Sequence, residues 1–392
     1  MSRARGSDLS APLLAGMVTA VVGFAGAFTV VLAGLRAVGA SEAQASSGLL
    51  TLCIAAGALG IVIGLRLRTP VSIAWSTPGA ALLISVGHVP GGYSAALGAF
   101  VVAGVLVFLS GLWGALGRWI AAIPVPVASA MLAGVLLPIC LSPAKAVVEL
   151  PGRAGPVVAV WLLLMRFARR WAVPGALAAT AVVVAATETI AGGRVLLPTL
   201  TATMPSFDAG AIVSIGIPLF LVTMASQNIP GMGVLASYGY RPNLRPLLLS
   251  TGAASAAGAP FGAHAVNLAA ITAALAAGPD AHPDPKRRWI ASVTAGGVLI
   301  ALGLCAGVAT TLIAASPPLL IQTVAGLALL GPLGSALGTA VAAEGELRDA
   351  AIVTFVVSAS GIEALSITGA FWGLVAGLGF LAIQRFRRPR PV

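Results

Sequence analysis

The stretch Thr69-Pro-Val-Ser-Ile-Ala-Trp-Ser-Thr-Pro-Gly-Ala-Ala-Leu-Leu83 contains a helix start within an apolar region. Thr77 followed by Pro78 is typical of an N-cap and a first helical residue, so a short extended piece leads into a half-helix. In a membrane, such a break leaves backbone N–H groups unpaired unless they line a cavity enclosed by protein, as in secondary transporters. A second candidate break, Ala259-Pro-Phe-Gly-Ala-His-Ala-Val-Asn-Leu268, lies about 188 residues later, and we expect its half-helix to begin near His264.

The composition indicates a membrane protein. Of the 392 residues, 58% are hydrophobic and 8% are charged, which is too little polar surface for a soluble globule. The net charge of +11 comes from basic residues scattered singly or in small clusters between apolar runs, so it indicates topology and no nucleic-acid partner. The cysteines, Cys53, Cys140 and Cys305, have unrelated spacings that indicate neither a metal site nor a disulfide. We expect an all-α polytopic protein without cofactor or metal.

Apolar runs and charge asymmetry together predict fourteen spans. The first seven cover residues 11–35, 43–65, 70–86, 95–116, 126–141, 155–165 and 173–190. The second seven cover residues 209–234, 247–257, 264–277, 289–313, 318–341, 350–362 and 367–383. With the N-terminus in the cytoplasm, 18 of the 22 Lys and Arg residues fall inside, and the exceptions are Arg36, Lys145, Arg153 and Arg194. We therefore expect both termini to be cytoplasmic in a bacterial inner membrane.

The two halves of the chain form an internal repeat. The segment that begins Pro126-Val-Ala-Ser-Ala-Met-Leu-Ala-Gly134 aligns without gaps with Pro318-Leu-Leu-Ile-Gln-Thr-Val-Ala-Gly326, at an offset of 192 residues. Because each repeat, 1–190 and 209–392, has an odd number of spans, the second copy is inverted. The two half-helices then point their N-termini at each other. Each N-terminus carries about half a positive charge and unpaired N–H groups, so the gap between them suits an anion.

Four runs make the chain similar to a known family. PVSIAWSTPGAALL (70–83), TMASQNIPGM (223–232), APFGAHAVNLAAIT (259–272) and AFWGLVAG (370–377) resemble the benzoate/proton symporter (BenE) family, which is related in architecture to nucleobase and sulfate-type anion transporters. The resemblance covers nearly the whole chain. It implies a seven-plus-seven inverted repeat with a core domain, 8–118 plus 209–313, and a gate domain, 124–190 plus 316–385.

The first half-helix supplies several candidate substrate-binding residues. Ser76 and Thr77 can donate hydroxyls to a carboxylate, or can cap the half-helix themselves. Trp75 can form an apolar wall for an aromatic ring, or can pack in the interior. At Gly79 a bulky side chain is expected to crowd the backbone approach to the anion. Phe24, one helical turn from Phe28, can stack on an aromatic substrate or serve in helix packing.

The second repeat supplies the polar candidates. Gln227 and Asn228 offer neutral donors and acceptors for a substrate, or for hydrogen bonds between helices. Related nucleobase transporters carry an acidic residue in this region, so a carboxylate proton site does not transfer here. His264 is the ionisable residue in the middle of the predicted core and is a candidate proton carrier, or alternatively a neutral imidazole held by the backbone. Asn267, placed one helical turn later, can bond the substrate or the imidazole.

These observations predict a secondary transporter that imports an aromatic carboxylate, benzoate or an analogue, together with protons. The alternative is a uniporter or a channel-like transporter of the same fold, for another anion or a nucleobase-like solute. A membrane-embedded enzyme is disfavoured, because the sequence offers no paired intramembrane acids, no metal-ligand spacing and no nucleophile with a base partner, so no residue is assigned a catalytic role. Whether the protein is a homo-oligomer is left open by the sequence.

Overall fold

The chain folds into helices of very different lengths around one short pair of strands. The fold is given by a computed structural model that describes residues 9–113, 123–187, 198–307, 316–364 and 367–386. Three predicted spans end in residues 114–116, 188–190 and 308–313, and these ends, like the tail after 386, lie outside the described residues.

The first repeat begins with two helices where the sequence predicts one span. Its elements are α1 (Ser10–Ala25), α2 (Phe28–Ala37), α3 (Glu42–Leu67), β1 (Ile73–Trp75), α4 (Thr77–Val86), α5 (Gly92–Leu112), α6 (Val125–Cys140), α7 (Ser142–Glu149), α8 (Pro151–Phe167) and α9 (Ala172–Thr187). The predicted span 11–35 is found as one apolar run, Ser10–Ala37, which is broken between α1 and α2. Ala27 leaves the helical region with a φ of −138°, next to Gly26, a residue type that weakens helices.

The second repeat repeats this order with local changes. Its elements are α10 (Ala209–Ala236), α11 (Leu244–Gly258), β2 (Val266–Leu268), α12 (Ala270–Ala277), α13 (Trp289–Leu304), α14 (Pro318–Val341), α15 (Gly345–Ala359), β3 (Glu363–Ala364), β4 (Ile367–Thr368) and α16 (Gly369–Phe386). Two π-helical stretches, Ile212–Gly216 and Met224–Asn228, lie within α10. The strands β3 and β4 pair as a small antiparallel hairpin that the sequence did not predict.

Several helices are long and apolar enough to cross a membrane. Among the described residues there are seven such helical runs: Ser10–Ala37, Glu42–Leu67, Gly92–Leu112, Val125–Glu149, Ala209–Ala236, Pro285–Leu304 and Pro318–Val341. The half-helix α4 and the helices α9 and α16 are shorter apolar segments. The prediction of an all-α polytopic membrane protein is confirmed.

Helix packing follows the inverted repeat. The second span of each repeat packs against the fourth span of the other, since α3 contacts α13 and α5 contacts α11. In the same reciprocal way, α1 contacts α12 and α13, whereas α10 contacts α4 and α5. The helices α6 and α14 are counterparts that pack against each other. Both α4 and α12, and α6 and α14, begin 193 residues apart, close to the predicted offset. The predicted inverted-repeat architecture is confirmed.

Candidate functional site

The site is built around the antiparallel pair β1 and β2, one strand from each repeat. Ile73 pairs with Leu268, and Trp75 pairs with Val266. The outer edge of β2 is covered by side chains, because Val266 N–H donates to Ser255 Oγ at 2.8 Å and Leu268 N–H donates to Asn228 Oδ1 at 3.0 Å. Extended backbone inside a membrane protein is stable only when its polar groups are satisfied in this way. The pair therefore fixes where both half-helices start.

The half-helix α4 is capped by its own serine. Its N-cap is Ser76, one residue before the predicted Thr77, and Ser76 Oγ accepts from Gly79 N–H at 3.1 Å. Thr77 and Pro78 occupy the first turn, so the predicted start is confirmed and the predicted cap is corrected by one residue. The hydroxyl of Thr223 in α10 also donates to Ser76 Oγ, at 3.1 Å. The Ser76 oxygen is therefore already engaged by two donors within the protein.

The half-helix α12 starts later than predicted. It begins at Ala270, six residues after His264, because residues 266–268 form β2 and the preceding Gly262 turns the chain with a φ of +97°. Its N-cap is Ala269, which lies opposite Ser72 and donates its N–H to Ser72 O at 2.9 Å. Alanine has no side-chain oxygen, so the N-cap residue itself does not cap this helix. An acceptor for the first-turn N–H groups of α12 therefore has to come from elsewhere.

A cavity of about 260 Å³ lies against β1 and the start of α12. Among the predicted site residues, Phe24, Trp75, Thr77 and Gln227 line it, and so do Ala269 and Thr272 of the α12 start. Phe24 stacks on Phe28 with ring centroids 5.1 Å apart and meets the Trp75 ring edge-on at 6.0 Å. The cavity therefore combines an aromatic wall with the N-terminus of a helix whose N-cap residue is alanine.

The adjacent amides of α10 differ in position. Gln227 lines the cavity, whereas Asn228 is fully buried and bonds the backbone N–H of Leu268 in β2. Asn228 thus acts between structural elements, as one of the two interpretations of the sequence held. Both residues lie in the π-helical stretch Met224–Asn228, which precedes Pro230 and interrupts the regular helix.

His264 lies on the far side of the strand pair from the cavity, and Asn267 lies within β2. Neither is among the described residues that line the cavity. His264 is fully buried, its Nε2 donates to Ser76 O at 2.9 Å, and its ring meets the Phe100 ring edge-on. No described polar group lies within hydrogen-bonding distance of its Nδ1. Asn267 belongs to β2 and not to a helix, so its predicted helical spacing from His264 is wrong. Its amide can accept from Ser76 N–H at 2.8 Å and donate to Leu268 O at 2.9 Å.

Gly79 also lies away from the cavity wall formed by the described residues. A Cβ at this position would overlap Leu219 Cδ1 of α10 and would lie 2.8 Å from Ser76 Oγ. The small residue is therefore needed for packing between α4 and α10 and for the serine cap. The predicted reason, close approach of the backbone to the anion, does not fit this geometry.

One cavity residue was missed by the sequence reasoning. Arg169, in the 3₁₀ turn Arg169–Trp171 between α8 and α9, lines the cavity, as do Val173 and Pro174 that follow it. In the sequence analysis, Arg169 is one of the 18 basic residues assigned to the cytoplasmic side. A basic residue immediately followed by the start of an apolar span is the signal that could have pointed to a cavity mouth.

The fold and the cavity together define a multi-pass membrane transport protein. The family model described as benzoate membrane transport protein, BenE, matches residues 7–383. The chain belongs to this family. It is 40% identical over 370 residues to the inner membrane protein YdcO of Escherichia coli, and 29% identical over 370 residues to the benzoate membrane transport protein of Acinetobacter baylyi. Each alignment covers 93% of both chains.

Solved structures share the fold at low sequence identity. The transmembrane domain of the cyanobacterial bicarbonate transporter BicA matches with a TM-score of 0.59 and 14% identity, over 96% of this chain and 99% of that one. The murine solute carrier 26 family member A9 anion transporter, in the inward-facing state, matches with a TM-score of 0.63 and 12% identity, over 98% of this chain and 69% of that one. The family and the fold support membrane transport of an anion.

Proposed function

We propose that this chain is a secondary active transporter that imports an aromatic carboxylate, benzoate or a close analogue, together with protons. The observation that carries the proposal is a single cavity with two complementary ends. Phe24 and Trp75 form an apolar aromatic wall, and the N-terminus of α12, whose N-cap is Ala269, offers N–H groups and a partial positive charge. An aromatic ring joined to a carboxylate matches both ends. The name of the Acinetobacter relative supports the same substrate class.

In the proposed complex, the carboxylate accepts from first-turn N–H groups of α12, and the ring packs against the wall formed by Phe24 and Trp75. Thr77 and Gln227 are the side chains on the cavity wall that can add hydrogen bonds to the carboxylate. Ser76, Gly79, Asn228, His264 and Asn267 form the shell that holds the half-helices and strands in place. The proton-carrying role of His264 stays a prediction, and the lack of a described partner for Nδ1 favours a neutral imidazole.

The transport movement is a displacement of the core domain, 8–118 plus 209–313, against the gate domain, 124–190 plus 316–385. The cavity walls support this division, because α1, α3, β1, α12 and α13 contribute most of the lining on one side. Arg169, Val173, Pro174, Ala328 and Pro332 contribute the other side. A substrate held between two such bodies is exposed to alternate membrane faces when one body moves.

We place the protein in a bacterial inner membrane with both termini in the cytoplasm. The charge asymmetry supports this orientation, and the name of the Escherichia coli relative supports the membrane. Labelling of a single cysteine introduced near Arg387 tests the orientation. Access from the cytoplasmic side is expected, and access from the outside would contradict the fourteen-span topology.

Uptake of labelled benzoate into proteoliposomes tests the function. With an acidic exterior, we expect an initial rate of accumulation above that of protein-free liposomes, and the excess should collapse when a protonophore removes the gradient. Protein-free liposomes are essential because neutral benzoic acid itself crosses bilayers. Saturable entry that only equilibrates, with or without the gradient, would contradict symport and favour the uniporter. Absence of protein-dependent uptake of any aromatic carboxylate would contradict the proposed substrate class.

A further inference from the structure

Arg169 is the one charged side chain among the described residues that line the cavity. Its turn connects α8 to α9, and the guanidinium is exposed. Among the described residues, no carboxylate forms an ion pair with Arg169 and none lines the cavity. A guanidinium in such a lining gives the cavity a positive potential toward an incoming anion.

The neighbouring Arg166 provides a contrast within the same segment. It ends α8, its guanidinium lies 5.5 Å from the ring centroid of Phe167, and it is not among the residues that line the cavity. Both arginines are exposed and lie on the predicted cytoplasmic side. A general surface-charge effect would involve both residues, whereas a contact with substrate in the cavity involves Arg169.

We propose that Arg169 binds the substrate carboxylate at the cytoplasmic mouth of the cavity and gives the transporter a higher affinity on that face. This inference rests on the proposed function. The N-terminus of α12 belongs to the proposed core domain and is part of the site on either face. Arg169 belongs to the proposed gate domain, so its distance from α12 changes when the two domains move. Its charge therefore acts on substrate only while the cavity is open to the cytoplasm.

As a consequence, Arg169 slows release of the substrate into the cytoplasm and favours exchange of bound substrate for substrate from that side. A carboxylate leaving the α12 N-terminus toward the cytoplasm passes a guanidinium that can form a two-pronged hydrogen bond with it. Because Arg169 is exposed, the interaction is weakened by salt. An exposed ion pair of this kind corresponds to a change in affinity of about two- to fivefold.

The test is the half-saturating benzoate concentration for counterflow, measured separately at each face in proteoliposomes whose protein orientation has been determined by labelling. The variants are Arg169→Gln, Arg169→Lys and, as the matched control, Arg166→Gln. At low salt, Arg169→Gln should raise the cytoplasmic value about two- to fivefold and leave the other face unchanged. At high salt the difference from the unmodified protein should shrink. Arg169→Lys should keep part of the effect, and Arg166→Gln should match the unmodified protein.

Unchanged cytoplasmic affinity in Arg169→Gln, an equal loss at both faces, or the same loss in Arg166→Gln would each overturn the inference while leaving the proposed function standing. Absence of benzoate transport by the unmodified protein would overturn the proposed function, and this inference with it. Melting temperatures of all variants separate a loss of affinity from a loss of folding.

Discussion

Ser76 and Ala269 occupy equivalent N-cap positions, 193 residues apart, and differ in what they offer the helix that follows. Ser76 caps α4 with its own hydroxyl, which Thr223 also contacts. Ala269 cannot cap α12 and lines the cavity. The inverted repeat is therefore asymmetric at the two helix starts, and α12 is the half-helix whose N-cap residue supplies no acceptor.

A serine introduced at Ala269 should compete with the substrate. The new hydroxyl can accept from the first turn of α12, which stabilises the helix by about 1 kcal/mol and occupies the donors that the carboxylate needs. We expect Ala269→Ser to weaken benzoate binding about fivefold or more without lowering the melting temperature.

Calorimetric titration of the purified protein measures this effect. The matched control is Ala74→Ser, which places a hydroxyl on the cavity wall in β1 but away from a helix N-terminus. Equal losses in the two variants would show that crowding of the cavity, not capping, is responsible.

The paired rings of α1 and α2 should contribute unequally. Phe24 lines the cavity. Phe28 is buried, stacks on the Phe24 ring and is not among the described residues on the cavity wall. Because aromatic pairs are worth about 0.5–1.5 kcal/mol beyond their buried area, Phe24→Leu should weaken benzoate binding about two- to tenfold.

Cyclohexanecarboxylate, which keeps the carboxylate and loses the aromatic ring, provides the chemical control. Its affinity should change less in Phe24→Leu than that of benzoate. Phe28→Leu should lower stability and leave the preference for benzoate intact. A Phe28→Leu variant that lost the preference, with Phe24→Leu retaining it, would reverse the assignment.

His264→Gln tests the proton-carrying role. The glutamine amide can still donate to Ser76 O, so the pairing of β1 with β2 should be kept and the protein should fold. Since Nδ1 has no described acceptor for a second proton, we expect weakened binding and uptake that still accumulates benzoate in a pH gradient. Binding and gradient-driven uptake should be measured on the same preparation. Binding that stays intact together with lost accumulation would assign the proton to His264.

Gly79→Ala tests the packing of α4 on α10. The added methyl group overlaps Leu219 and crowds the Ser76 cap, so we expect a loss of stability of about 1–3 kcal/mol and a fall in transport. Thermal denaturation of Gly79→Ala, alone and combined with Leu219→Ala, measures the effect. If the methyl group destabilises the protein by overlapping Leu219, the loss of stability in the double variant should be smaller than the sum of the losses in the two single variants. A loss equal to that sum would indicate that the methyl group acts by disturbing the Ser76 cap.

The architecture could be predicted well because apolar runs, charge asymmetry and the offset of the repeat are all visible in the sequence. The start of α4 could be read from Thr77-Pro78, where serine and proline chemistry acts locally. The start of α12 could not, since Ala269 and Ala270 carry no capping signal and the boundary is set by pairing of β2 with β1. The location of His264 behind the strands follows from that same long-range pairing.

The cavity residues divide along the same line. Phe24 and Trp75 could be proposed from residue type, and the structure brings them together. Arg169 could not be assigned to the cavity from the sequence. It lies in the turn between α8 and α9, far along the chain from Phe24 and Trp75, and reaches the cavity through tertiary packing. The roles of Asn228 and Gly79 likewise depend on neighbours, Leu268 and Leu219, that are distant along the chain.

The most direct test is a structure of the protein with bound 4-bromobenzoate, located by the anomalous signal of bromine. We predict that the carboxylate lies within about 3 Å of first-turn N–H groups of α12 and that the ring lies against Phe24 and Trp75. A carboxylate bound instead at the Ser76-capped start of α4, or a ring outside this cavity, would contradict the central claim that the half-helix α12 holds the anion.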